Sequence, residues 1–203
     1  MNSSVFDVDH QNQDLASKIV AGLERVSNAF RVLLWDYAKE NGLSPIQIQL
    51  LIFVRYHKEQ VCNVSYLAKE FNLTKPTISD AIRILYKKEL IEKITSETDR
   101  RAYSISLSKK GKEMVNQTEH FANPIHQLVQ EWGKEQQIAF FEQLSQLING
   151  FAKEGIFSVQ RTCYSCQYYS QNGQDHYCRL LEQNLPNQAI RIDCPEHVAK
   201  SNE

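Results

Sequence analysis

Two short helical patterns, residues 65–71 and 74–89, are separated in this chain by nothing but Asn72 and Leu73. So short a connection forces the second helix to cross the first, as in a helix-turn-helix. The apolar positions agree with that geometry. Leu67, Ala68 and Phe71 form the buried side of the first helix, with a small residue at 68 where a second helix must approach closely, and Leu73 is expected to pack the turn. In the second helix Ile78, Ala81, Ile82 and Leu85 share one face at helical spacing. Lys75, Pro76, Thr77, Ser79, Asp80 and Arg83 are left on the outward side, near the helix start. Short hydroxyls, an acid and two cations suit a recognition helix. Its first residues approach base edges and phosphates closely, and its unpaired backbone amides favour an anion. These six residues are candidate contacts to double-stranded DNA.

The flanking segments complete a frame for that pair. Residues 1–13 are polar and aperiodic and read as a flexible arm. Ile19, Leu23, Val26, Phe30, Leu33 or Leu34, and Tyr37 recur at steps of three and four, which predicts a long helix ending at Asn41-Gly42. Ser44-Pro45 supplies a cap and a first-turn proline for a second helix ending near His57. Beyond the crossing pair, residues 90–94 and 102–107 bracket a polar turn, with Tyr103, Ile105 and Leu107 alternating, and predict a hairpin. Ser108 caps a further helix, Pro124 breaks or kinks it, and residues 134–157 carry Ile138, Phe141, Leu144, Leu147 and Ile148 at helical spacing. The expected fold class is mainly α with a small β-hairpin. It comprises a winged helix-turn-helix domain (helix-turn-helix 65–89, wing 90–107) within a body of residues 14–157 that includes long helices.

Charge is distributed to match. Residues 74–112 hold ten Lys or Arg against five Asp or Glu, an excess of +5 in a chain of net charge -1, so the remainder carries -6. A basic sector on an otherwise acidic protein is the footprint of one face that meets phosphates, although a solvated charged surface would give the same counts. No run approaches the roughly 18 apolar residues of a membrane span, and the first residues lack the features of a signal peptide, so a cytoplasmic protein without a membrane partner is expected.

The stretch LAKEFNLTKPTISDAIRILYKKELIEK, followed by TDRRAYSISLSKKGKE, resembles the helix-turn-helix and wing of MarR-type transcriptional regulators over roughly residues 14–157. In that family an Asp-Arg-Arg wing tip precedes an alternating strand and a Leu-Ser/Thr-x-x-Gly helix start. Asp99, Arg100, Arg101, Leu107, Ser108 and Gly111 match it in order. The resemblance implies a homodimer joined by its first and last helices, which would use the long apolar stripes as dimerisation helices. It implies a sequence-specific regulator, a repressor in the first reading, on a palindromic operator. It further implies that Asp99 orients an arginine while a wing arginine enters the minor groove. Many relatives release DNA when a small molecule or an oxidant acts near the dimerisation helices. Nothing in this sequence identifies such an effector.

The chain departs from that family after residue 157. Residues 158–203 hold Cys163, Cys166, Cys178 and Cys194, spaced C-x2-C-x11-C-x15-C, in a segment without long periodicity. In a reducing compartment four thiols at such spacing suit a tetrahedral zinc site that staples a small cysteine-rich metal-binding tail. An iron-sulfur cluster is the alternative, favoured by Cys194-Pro195, and would make the protein a redox-sensing regulator. Free thiols, a disulfide, or a site using His176 or His197 remain open. Cys62 reads as a buried small residue. Catalysis by a Cys163-x-x-Cys166 dithiol lacks the βαβ context such motifs need, so no enzyme is expected. A zinc-dependent interaction scaffold is the competing class.

Overall fold

The computed structural model describes residues 4–95, 103–173 and 175–200. Helices α1 (Val8–Gln13), α2 (Leu15–Glu40) and α3 (Pro45–Tyr56) lead into α4 (Val64–Glu70) and α5 (Lys75–Lys87). Strands β1 (Ile91–Thr95) and β2 (Tyr103–Leu107) follow, then α6 (Lys109–Thr118), α7 (Asn123–Gln130) and α8 (Lys134–Lys153). A second, three-stranded sheet of β3 (Tyr169–Asn172), β4 (Asp175–Cys178) and β5 (Gln183–Leu185) closes the described chain.

Local chemistry sets most boundaries. The expected arm contains the short helix α1, because the Asp7 carboxylate accepts from the amides of Asp9 and His10 at 2.9 and 3.2 Å; none of its residues is buried. At α3 the Ser44 amide donates to Gln47 Oε1 at 2.9 Å, and Pro45 gives up no needed donor.

Four helices stop in the same way. Gly42, Asn72, Glu89 and Gly155 each take a left-handed φ between 51° and 68°. The next amide then reaches back to a carbonyl one turn inside the helix: Leu43 to Ala38, Leu73 to Ala68, Leu90 to Leu85 and Ile156 to Phe151, at 2.9 to 3.0 Å. This motif is what makes the short connection between α4 and α5, residues 71–74, possible. It also corrects two expectations. Leu73 does not pack the turn but is 38% exposed, because the left-handed Asn72 sends the chain outward. The last long helix stops at Lys153 rather than running on to 157, because Gly155 reverses the chain.

The core lies where α3, α4, α5 and the hairpin meet. Ile48, Leu50, Leu51, Leu67, Ile78, Ile82, Leu85 and Ile105 are fully buried there, with Cys62. In the wing, Ile91 pairs with Leu107 and Thr95 with Tyr103 in antiparallel register. The start of α6 passes so close that a Cβ on Gly111 would lie 1.9 Å from the Leu90 carbonyl oxygen. Pro124 falls in the first turn of α7 after a 3-10 turn over Glu119–Ala122, so the chain between wing and α8 forms two helices.

The cysteine-rich tail, a segment without long periodicity, holds three short strands. Each of its strands has only three or four residues, too few for alternation to show. Its interior is Cys163, Cys166, Tyr169, Leu185 and Ile190, and Phe141 of α8 packs against it.

Candidate nucleic-acid interface and cysteine cluster

Helix α5 buries Ile78, Ala81, Ile82 and Leu85, as its spacing predicts. Lys75, Pro76, Thr77, Asp80 and Arg83 are exposed along its outer side and Ser79 is half-buried. Thr74 caps the helix: its Oγ1 accepts from the Thr77 amide at 3.3 Å and lies 2.8 Å from Thr77 Oγ1. Arg83 Nη2 donates to Asp80 Oδ1 at 2.8 Å, one turn earlier and in solvent. Asp99, Arg100 and Arg101 lie outside the described residues.

Three features of this face were not read from sequence. Lys93 of β1 sits between the rings of Tyr86 and Tyr103, 5.3 and 4.5 Å from their centroids, and ties the end of α5 to the wing. Lys110 donates to the Lys88 carbonyl at 3.0 Å, where a cation complements the end of α5. Ser108, which caps α6 through Gly111 N at 3.0 Å as its position predicts, also donates its hydroxyl to the Glu89 carbonyl at 2.6 Å. The alternation of Tyr103 with Ile105 was the available signal for the first; the other two depend on backbone carbonyls that no side-chain pattern reveals.

In the tail, Cys163, Cys166, Cys178 and Cys194 all line one small apolar cavity of about 30 Å³, with Tyr169, Leu185 and Arg191. The Arg191 amide donates to Cys163 Sγ at 3.2 Å, and its guanidinium donates to Cys194 Sγ at 3.6 Å. Burial pushes the Cys163 thiol above its ordinary pKa, with the neighbouring cysteines adding to the rise. Among the described residues, no three His, Cys, Asp or Glu side chains are arranged to hold a metal ion as they stand. The spacing thus brings the four thiols to one cavity but not into a formed coordination shell. His176 and His197 are otherwise engaged. The Tyr169 hydroxyl, pushed up to about 12 by burial, lies 2.6 Å from His176 Nδ1. His197 Nε2 meets Ser165 Oγ at 2.9 Å. Cys62 is buried as expected, and burial pushes its thiol up to about 11.

The residue that sequence reasoning missed is Arg161. Its Nε and Nη2 donate to Asp193 Oδ1 and Oδ2 at 2.7 and 3.0 Å. Nη1 and Nη2 donate to Glu70 Oε2 and Oε1 at 2.6 and 3.1 Å, and Nη1 also reaches the Tyr66 hydroxyl at 2.9 Å. The guanidinium lies 5.3 Å from the Phe53 ring centroid. Burial opposes its charge, but Asp193 and Glu70 outweigh burial and hold it protonated more firmly than usual. His57 stacks on Phe53 and faces an acceptor at each ring nitrogen: Phe53 O from Nδ1 and Asp193 Oδ2 from Nε2, both at 2.9 Å. Burial works against its protonation, yet Asp193 and the carbonyl raise its pKa. Nothing in the spacing of these residues singles them out, because Phe53 lies on α3, Tyr66 and Glu70 on α4, and Asp193 in the tail.

The crossing of α4 and α5, the hairpin after it and the glycine-tight return of α6 together define a winged helix. Residues 41–102 match the MarR family. The matched stretch takes in α3, the helix-turn-helix and β1. Solved structures similar to the chain include Staphylococcus aureus MepR in complex with DNA, at 20% identity over 64% of this chain and 96% of that one, with a TM-score of 0.57. Streptococcus pneumoniae FabT in complex with DNA is similar at 20% identity over 68% and 98%, with a TM-score of 0.57. A MarR transcriptional regulator from Methanosarcina mazei Go1 is similar at 19% identity over 64% and 95%, with a TM-score of 0.55. At these identities the likeness establishes the MarR-type fold. No curated protein matches the chain. No helix among the described residues is long and apolar enough to cross a membrane.

Proposed function

We propose that the protein is a sequence-specific DNA-binding transcriptional regulator, not an enzyme, acting as a homodimer on a palindromic operator and serving as a repressor. The observation that carries this reading is the outer side of α5. It displays Lys75, Pro76, Thr77, Asp80 and Arg83 to solvent, with half-buried Ser79 beside them, on a winged-helix frame. MepR and FabT, which share the fold, are seen in complexes with DNA. Asp99, Arg100 and Arg101 belong to the same proposed interface through the family motif.

Exposed apolar side chains support the homodimer. Along α2, Ile19, Val26 and Phe30 remain open to solvent on one stripe, and Phe140 and Leu147 do so on α8. A second copy would cover these two stripes. Two recognition helices about 34–36 Å apart would then prefer half-sites one helical turn apart. Sequencing DNA that co-purifies with the protein, followed by fluorescence anisotropy on the enriched fragments, tests the reading. A two-fold symmetric motif bound far more tightly than random DNA is expected, and the absence of any preferred sequence at low salt would turn the proposal toward a scaffold.

The tail is proposed to carry one structural metal ion, zinc in the first instance and an iron-sulfur cluster as the alternative. The convergence of the four thiols on one cavity supports it. Elemental analysis of anaerobically purified protein separates the two: about one zinc per chain, or iron with matching sulfide.

A further inference from the structure

The thiol cavity and the helix-turn-helix are joined through Arg161. This residue lies two positions before Cys163, and Asp193 directly precedes Cys194. The two short segments run side by side: Cys163 N donates to Arg191 O at 3.0 Å and Cys194 N to Arg161 O at 2.9 Å, with a parallel bridge between Arg161 and Asp193. All five guanidinium N–H groups of Arg161 have acceptors, supplied by Asp193 on the tail side and by Glu70 and Tyr66 on α4. Glu70 is the last residue of α4, where the helix dipole disfavours a carboxylate, and Arg161 neutralises it there. The Ser158 hydroxyl donates to the Lys69 carbonyl at 2.8 Å, a second hold on the same helix end.

We propose that the four cysteines form one site for a thiophilic divalent metal ion, and that its occupancy sets DNA affinity by fixing the Arg161 clamp on α4. The proposal rests on the DNA-binding reading above. An ion held by Cys163 and Cys194 ties together the two segments that carry Arg161 and Asp193. Binding of the ion would cost each ligating thiol its proton. Without the ion, those segments are held by a few backbone hydrogen bonds and a small interior. Asp193 then loses its alignment on Arg161, Glu70 loses its counter-charge, and α4 is free to shift. Helix α5 packs on α4 and is joined to it by residues 71–74 alone, so its outer side moves with it.

The test uses the full-length dimer, loaded with zinc sulfate or stripped by a chelator, with zinc counted by elemental analysis and DNA binding read by anisotropy. Stripping is expected to weaken operator binding at least about fivefold, the lower end of ordinary allosteric coupling, and added zinc to restore it. Arg161→Lys keeps the charge but not the two-sided grip. It should retain zinc, bind DNA weakly, and no longer respond to the chelator. Asp193→Asn serves as a second variant, with circular dichroism to show that each is folded. Equal affinity of loaded and stripped protein, or an Arg161→Lys variant as responsive as the wild type, overturns the coupling. A folded chain that takes up no zinc overturns the metal site, whereas a zinc-bound chain that binds no DNA overturns the regulator reading.

Discussion

Arg161 grips Glu70 through two hydrogen bonds, 2.6 and 3.1 Å long, that bridge 91 positions of sequence. Both side chains are largely withdrawn from solvent, at 13% and 20% exposure, so the pair differs from an ordinary surface ion pair worth under about 1 kcal/mol. Replacing Arg161 with Ala strands Glu70 and the Tyr66 hydroxyl. Loss of a charged, partly buried partner of this kind should lower stability by about 2–3 kcal/mol in urea unfolding. A change under about 0.5 kcal/mol would show that the tail contributes nothing to the stability of the winged helix.

His57 links the same junction to pH. Its pKa is raised in the folded protein, so the stabilisation from its charged form is complete below the unfolded value of about 6.5 and fades as pH rises through the folded value. The junction should therefore loosen on going from pH 6 to pH 8. Hydrogen exchange at the amides of Cys163 and Cys194, which cross-link the two tail segments, reports it. The His57→Gln variant should lose the dependence, and an unchanged profile in that variant would assign the effect elsewhere.

On the outer side of α5, Arg83 rests on Asp80. An exposed pair one turn apart is worth about 0.2–0.5 kcal/mol, whereas a good arginine contact to a base discriminates by about 1–3 kcal/mol. The arginine should thus exchange Asp80 for DNA readily. Arg83→Ala is expected to weaken binding to the best operator by about 1–3 kcal/mol and to random DNA much less. Asp80→Asn, which removes a charge that repels phosphate, should raise affinity for random DNA and narrow the difference between sites. Equal losses on both DNAs for Arg83→Ala would make that residue a phosphate contact.

Gly111 tolerates no side chain, since a Cβ there would collide with the Leu90 carbonyl that receives the Ser108 amide at 3.2 Å. Gly111→Ala should lower stability by about 1–3 kcal/mol by pushing α6 off the wing.

The helical body was legible because its information is local. Ser44-Pro45, the short connection through Asn72-Leu73 and the face made by Ile78, Ala81, Ile82 and Leu85 each act within one or two turns. Left-handed stops at Glu89 and Asn72 were harder to read, since neither is glycine and only the backbone reveals them. The four cysteines announced a cluster by spacing, but not the short strands beside it. The junction was invisible: Phe53, His57, Tyr66, Glu70, Arg161 and Asp193 come from α3, α4 and two tail segments. No one-dimensional pattern marks residues that meet only in the folded chain.

Phe141 has a consequence for how the tail could have been acquired. It belongs to α8, yet its ring helps close the interior formed by Cys163, Cys166, Tyr169, Leu185 and Ile190. The tail is therefore not a bead that could be cut off and attached to another regulator. Grafted behind a different last helix, it would lack one wall, while the donor left behind would present a bare aromatic ring to solvent. Any lineage that carries this cysteine pattern should carry a large apolar residue at the position of Phe141, inherited together with the thiols as one unit.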